Sequence, residues 1–153
     1  MDKVVYFNTL IEPKGGILSV IVIMIGILVL IIVPLMFVTV SIMKNTTLSL
    51  TENELVIKSM FYGRKIPLEN IRIDGIKQIN LEKDKEYNFS MRTNGISMPK
   101  FRSGWMRLKN GEKALAFVTD KTNIVLIPTN EYQILFSMDN IDEFIAKIIS
   151  LKK

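Results

Sequence analysis

The chain has 153 residues, of which 48% are hydrophobic, and a formal net charge of +5 at pH 7. It contains no Cys and no His. This excludes disulfides, thiolate metal sites, cysteine nucleophiles and every catalytic or metal site built on imidazole. The length is typical of one domain, and the apolar fraction is higher than a purely soluble domain needs.

A long apolar segment begins near the N-terminus. No residue between Lys14 and Lys44 carries a charge, and eighteen of the twenty-four residues in 17–40 are Ile, Leu, Val or Phe. Because about 20 apolar residues cross a bilayer as a helix, residues 17–43 are predicted to be one transmembrane helix. A cleaved signal peptide fits less well, since its apolar region has about 7 to 15 residues and ends at an Ala-x-Ala-like site. The first Ala of this chain is Ala114.

The charges that flank this segment leave its orientation open. Lys3, Lys14 and the α-amino group precede it, and Lys44 and Lys58 follow it. The side richer in Lys and Arg usually stays in the cytoplasm, but here the two sides differ by one amino group. The sequence therefore predicts a single-pass protein of the cell membrane without deciding on which side its domain lies.

Residues 1–16 are then a short N-terminal tail, and residues 44–153 are predicted to form one domain directly after the helix. This part of the chain has 18 Lys and Arg against 13 Asp and Glu, so it carries the whole net charge. Short β-rich runs separated by polar turns fill most of it. The runs are 46–50, 55–60, 64–67, 105–108, 114–118, 124–127 and 132–136, with one or two more between 71 and 81.

Two stretches between these runs differ in kind. In the turn 109–112, Asn110-Gly111 supplies the positive φ of a tight hairpin, which predicts that the flanking runs pair. From 82 to 104 the strand pattern is interrupted by a charged run, by Pro99 and by Gly104. This second stretch is predicted to be a long loop.

The last residues change to a helical period. Apolar residues recur at i, i+3, i+4, i+7 and i+8, which is typical of an amphipathic helix. These residues are Ile141, Phe144, Ile145, Ile148 and Ile149. About seven short antiparallel strands followed by one helix predict a mainly β domain. We expect a small, partly open barrel or a sandwich with the helix covering one open end.

Several motifs of the domain occur together in a known family. They are Arg92, Asn94-Gly95, Pro99, Gly104-Trp105, Arg107-Leu108, Asn110-Gly111, Ala114, Thr119-Asp120, Pro128-Thr129 and Ser137, with Glu54-Leu55 and 61–71 before them. Over roughly residues 46–150 the chain resembles the bacterial pleckstrin-homology-like (PH-like) family. The resemblance implies a partly open barrel of seven strands with a C-terminal helix, often carried beside N-terminal membrane spans. It brings no catalytic residues, and Met106 departs from it where an aromatic residue is expected.

The most uneven charge lies in residues 92–113, which hold six cations against one carboxylate, Glu112. Apolar and aromatic residues are interleaved with the cations, a composition that suits an anionic bilayer surface. The candidate surface for a lipid or a protein partner is Arg92, Lys100, Phe101, Arg102, Trp105, Arg107 and Lys109. The same pattern also fits the solvated face of a half-buried strand, with Trp105 in the core.

These observations favour a non-catalytic protein that acts in assembly or sensing at the membrane surface. A protein partner would use an exposed strand edge, and the alternative is binding of anionic lipid headgroups by the basic loop 92–113. No cofactor or metal is expected, and the membrane anchor argues against nucleic acid. An unrecognised hydrolase is a remote alternative, because the carboxylates near residue 140 are explained as favourable charges at a helix N-terminus.

Overall fold

The computed structural model describes residues 16–98 and 100–151, and the chain divides into two units, Met1–Val40 and Ser41–Lys153. The first helix, α1, spans Gly16–Lys44. Its 23-residue stretch Gly16–Val38 is long and apolar enough to cross a membrane. Pro34 lies inside the helix without ending it. The predicted tail 1–16 lies almost wholly outside the described residues.

The second unit consists mainly of strands. Within the described residues there are nine, followed by one α-helix. They are β1 (Thr47–Leu50), β2 (Glu54–Lys58), β3 (Arg64–Pro67), β4 (Lys77–Ile79), β5 (Phe89–Met98), β6 (Phe101–Leu108), β7 (Lys113–Val118), β8 (Ile124–Pro128), β9 (Gln133–Ser137) and α2 (Ile141–Leu151). A three-stranded sheet has the order β1-β2-β3, and a six-stranded sheet has the order β4-β8-β9-β7-β6-β5.

The prediction of a mainly β, open-sheet domain with a C-terminal helix is confirmed, and the structure differs from it in two details. The described residues form nine strands rather than about seven, since β4 lies in the region 71–81 where one or two more were expected and β5 lies in the stretch predicted as a loop. In addition, β9 pairs in parallel with β7, while the other strand pairs are antiparallel. The parallel pair arises because β9 follows β8 in the chain but inserts between β8 and β7 in the sheet.

The prediction of a long loop over 82–104 is wrong beyond residue 88. β5 and β6 form a hairpin with two register shifts, one of which leaves Thr93 unpaired. Gly95 and Gly104 face each other across it, and Gly104 has a φ of +112°. A Cβ on Gly104 would lie 2.6 Å from the Asn94 carbonyl oxygen. The glycines that suggested a loop therefore permit close approach of two strands.

The central strands of the six-stranded sheet are buried on both faces. One face packs with β2, β3 and α2 in a core that includes Leu55, Leu115 and Ile148. The opposite face has a second core around Met106, Ala116 and Leu126. The segment 80–88 joins β4 to β5, which are the two outermost strands, and Leu81, Tyr87 and Phe89 pack into that second core. Burial on both faces explains the nearly continuous apolar runs of β7 and β8.

Candidate binding surface

The seven residues predicted as a binding surface lie on β5, on β6 and in the turns around them. The structure does not bring them onto one face. The Arg102 guanidinium carbon lies 5.0 Å from the ring centroid of Phe89, and Phe89 packs against the second core. Trp105 packs against the first core. Successive side chains of a strand point to opposite faces, so a basic stretch that is continuous in sequence is divided between two sides.

Phe101 is buried, with 6% of its surface exposed. It lines a small cavity of about 100 Å³ together with Thr46, Phe117 and Phe136. Lys100, next to it in the turn between β5 and β6, is exposed, as are Arg92, Arg107 and Lys109. Phe101 is therefore a core residue, and its cationic neighbours remain accessible.

Trp105 is the centre of a cluster that the sequence predicted only in part. Its ring packs edge-on against Tyr132, with the centroids 4.9 Å apart. The Lys113 Nζ lies 4.1 Å from the Trp105 centroid, and the Arg64 guanidinium carbon lies 5.5 Å from it. Burial raises the pKa of Tyr132, and the positive charge of Arg64 partly opposes this shift. Cations at these distances are attracted to the electron-rich face of the indole.

Beside this cluster lies a recess of about 310 Å³. Its lining contains Thr93 and Asn94 from β5, Trp105 and Arg107 from β6, and Lys113 from β7. The Arg107 side chain is held in place because its Nη1 donates to the Gly111 carbonyl oxygen at 2.9 Å. A hydroxyl, an amide and two cations thus surround an aromatic wall. This combination suits a carboxylate or another anion.

β5 forms one edge of the six-stranded sheet. None of its ten residues is buried, and among the described residues no strand pairs with its outer side. Among the described residues, the nearby cations Arg92, Arg107 and Lys113 have no carboxylate within 4.0 Å. The ion pair found in residues 16–98 and 100–151 joins Lys65 to Glu54. The edge therefore combines unpaired backbone groups with uncompensated positive charge.

A second, larger cleft of about 970 Å³ lies beside β4. Its lining alternates in charge, with Glu69, Asp74 and Glu112 against Arg72 and Lys77. Glu112 accepts hydrogen bonds from the side-chain amides of Gln133 and Asn110, at 3.1 and 2.7 Å. A hydrogen bond with Tyr87 raises the pKa of Lys77. In residues 16–98 and 100–151 no three Asp or Glu side chains gather as a metal site would require.

Comparison with known families agrees with this architecture. Residues 46–151 match the family model described as the bacterial PH domain. The match covers most of the chain, which therefore belongs to the bacterial PH domain family. This confirms the resemblance found in the sequence. No curated protein and no solved structure matches the chain.

Sequence reasoning found Trp105 and Arg107 but missed Arg64, Tyr132 and the role of Lys113. Arg64 belongs to β3 and Tyr132 directly precedes β9, so the folded topology alone brings them to Trp105. Lys113 was counted in the basic stretch, and the turn Asn110-Gly111 gave a usable signal. A tight hairpin there places Lys113 opposite Arg107, as observed.

Proposed function

We propose that this chain is a single-pass membrane protein whose PH-like domain binds a protein partner, without catalysis, in assembly or sensing at the membrane surface. The observation that carries the proposal is the β5 edge. A long edge strand is a ready template for pairing with another chain, and most proteins shorten, cover or protect such edges. A partner segment that adds a strand to β5 would gain main-chain hydrogen bonds along the edge, and side-chain pockets would give selectivity.

The charges around this edge indicate the chemistry of the partner. The hairpin from Phe89 to Leu108 contains Arg92, Lys100, Arg102 and Arg107 and no Asp or Glu. The recess next to β5 adds Lys113 and the Trp105 ring. Complementary charge favours the correct partner and speeds its encounter. We therefore infer that the partner segment is extended and acidic, with a carboxylate in the recess.

Membrane anchoring fits this role. Helix α1 meets the length and composition of a membrane span, and the family match begins at residue 46, directly after it. A domain tethered to the same membrane as its partner meets that partner at a high effective concentration. A short strand-addition site of modest affinity is then sufficient.

The non-catalytic role is supported by two observations. Bacterial PH-like domains are generally non-catalytic. The chain also lacks Cys and His, the residues that supply most nucleophiles and general bases near neutral pH.

Lipid binding by residues 92–113 is the second candidate function. The composition favours it, since cations near an anionic leaflet each contribute about 1 kcal/mol. The placement of Arg102 and Trp105 on opposite sides of β6 argues against lipid binding, because a flat bilayer would contact only some of the candidate residues in 92–113. We therefore rank the protein partner first.

In-cell photo-cross-linking of the full chain tests the proposal. Benzoylphenylalanine is placed at Thr93 on the β5 edge and, as the matched control, at Gln78 on the β4 edge of the same sheet. We expect a protein adduct from position 93 and none from position 78. Lipid adducts alone from position 93 would favour the second candidate function. Equal yields of protein adducts from both edges would contradict a specific edge site.

A separate labelling experiment tests the anchor. The chain has no Cys, so one Cys introduced at the exposed turn residue Asn123 is the only thiol of this protein that can be labelled. Labelling of intact cells by an impermeant maleimide would place the domain outside the cytoplasm, and labelling only after lysis would place it inside. Release of the protein from membranes by alkaline carbonate would contradict a transmembrane anchor.

A further inference from the structure

The turn between β2 and β3 exposes two large apolar side chains. Met60 is 53% exposed and Phe61 is 61% exposed. The next residue, Tyr62, fixes this turn, because its hydroxyl donates to Asn94 Oδ1 at 3.1 Å. Its ring lies so close to Gly104 that a Cβ there would approach the Tyr62 Cε2 to 2.9 Å. Tyr62 is thus fixed against β5 and β6, while Met60 and Phe61 beside it remain exposed to solvent.

This turn, residues 59–63, is called the tip. It lies at the end of the domain where the chain enters from α1. Thr47 is paired with Lys58 at the end of the β1–β2 ladder. One step further, the Thr46 hydroxyl donates to Ser59 Oγ at 3.4 Å. Only residues 39–45 separate the apolar stretch that ends at Val38 from this point. Seven residues of covalent chain therefore set the longest distance between this end of the domain and any membrane span formed by α1.

The charged residues between Glu54 and Glu69 are Lys58, Arg64 and Lys65. Lys65 is ion-paired with Glu54 at 3.5 Å and Arg64 lies over the Trp105 ring, so Lys58 is the cation next to the turn that is left for another contact. Lys100 is at the same end of the domain, because its neighbour Phe101 shares a cavity with Thr46.

The opposite end of the same strands is different. Its turn, Thr51-Glu52-Asn53, has no large apolar residue and is followed by the carboxylate of Glu54. Exposed apolar side chains ringed by cations are typical of a surface that contacts anionic lipid.

We propose that Met60 and Phe61 insert into the headgroup region of the bilayer that α1 crosses, with Lys58 and Lys100 beside anionic lipid phosphates. The contact orients the domain on the membrane and uses side chains other than those assigned to the β5 edge. The occupant is the bilayer rather than a protein, because this turn contacts Thr46, which residues 39–45 join to the apolar stretch of α1. This inference rests on the membrane anchoring in the proposed function.

The test uses the full chain reconstituted into vesicles of three parts phosphatidylcholine to one part phosphatidylglycerol. Single cysteines at Phe61, at Glu52 and at Leu28 are labelled with the fluorophore NBD, and quenching by spin-labelled lipids is measured. Glu52 is the matched control, since it lies in the turn at the other end of the same sheet. Leu28 reports whether α1 is in the bilayer. We expect strong quenching and blue-shifted emission at positions 61 and 28 and little at position 52.

The outcomes separate the inference from its premise. Quenching at position 28, with position 61 as unquenched as position 52, would overturn the inference and leave the anchor in place. Absence of quenching at position 28 would overturn both. A second arm combines Lys58→Glu with Lys100→Glu, two exposed positions outside both cores. We expect quenching at position 61 to fall while quenching at position 28 stays constant, and an unchanged value at position 61 would overturn the role of the cations.

Discussion

β4 and β5 form the two outer edges of one sheet, and they differ in length, burial and charge. β4 has three residues and contributes Ile79, which is 2% exposed, to the second core. It runs directly into the segment 80–88, which is fixed by a hydrogen bond from Leu81 N to the Lys121 carbonyl oxygen at 2.8 Å. β5 has ten residues, none buried. A short edge fixed by one buried residue offers little to a partner, whereas the ten residues of β5 leave a long row of outer backbone groups available for pairing.

The largest expected effect is on the hairpin that holds β5. Gly104→Ala places a Cβ 2.6 Å from the Asn94 carbonyl oxygen at a φ of +112°, and strain plus overpacking should lower the free energy of unfolding by about 4 kcal/mol. Gly111→Ala is the control, because Gly111 also has a positive φ but no atom within 4 Å of the added Cβ. Its cost should be about 1–2 kcal/mol. Urea unfolding of the full chain in detergent, followed by Trp105 fluorescence, measures both, and equal costs would contradict the close approach.

The next largest change in stability is expected when one side chain on each edge strand is truncated to alanine. Ile79→Ala removes a buried side chain from the second core and should cost about 3 kcal/mol. Met91→Ala on β5 should change the free energy of unfolding by no more than about 0.5 kcal/mol, because Met91 is 56% exposed. The same urea titration reads both. A large loss at Met91 would mean that β5 is a structural edge after all.

A smaller effect concerns the cation above Trp105, next to β5. Lys113→Met removes the ammonium group that lies 4.1 Å from the ring centroid and should cost about 0.5–1 kcal/mol. It should also shift the Trp105 emission maximum. Lys109→Met, in the neighbouring exposed turn, is the control and should leave emission and stability unchanged. Identical spectra for the two variants would contradict a cation–aromatic contact at Lys113.

The smallest expected change in stability is in the turn 119–123, which joins β7 to β8. Asp120 Oδ1 accepts hydrogen bonds from the Thr122 hydroxyl and backbone N, each at 2.7 Å, and these bonds lower the pKa of the Asp120 carboxyl. A lowered pKa stabilises the fold above the unfolded-state pKa, and the gain is lost as pH falls through the folded-state pKa. Asp120→Asn should therefore be slightly less stable than the parent at neutral pH, and the difference should vanish in acid. A difference that persists at low pH would contradict this origin.

The sequence predicted most of the strands that carry an apolar run, and it missed β5 and the first half of β6. β7 and β8 have nearly continuous apolar runs because both faces of their sheet are covered. The turn at Asn110-Gly111 was predicted, and Gly111 has the positive φ of +89° that it needs. β5 was missed because none of its ten residues is buried, and polar residues and glycine at 92–95 interrupt its apolar pattern. Its existence depends on pairing with β6.

The candidate site was predicted to the extent that it is local in sequence. Trp105 and Arg107 belong to one strand, and their composition drew attention to it. Arg64 and Tyr132 join them through the pairing of distant strands, which no local pattern specifies. The division of Arg102 and Trp105 between opposite faces follows from strand alternation, but only after residues 101–104 are recognised as part of a strand.

One cross-linking experiment tests the β5 edge and its positive charge together. Benzoylphenylalanine at Thr93 is cross-linked in cells in the full chain, once with Arg92→Glu and Arg107→Glu and once with Arg72→Glu. Arg72 is the control because it is an exposed cation beside β4. We expect the protein adduct to be lost in the double variant and kept in the control, with the far-ultraviolet circular dichroism of both unchanged. An adduct that survives in the double variant would contradict an acidic partner on the β5 edge.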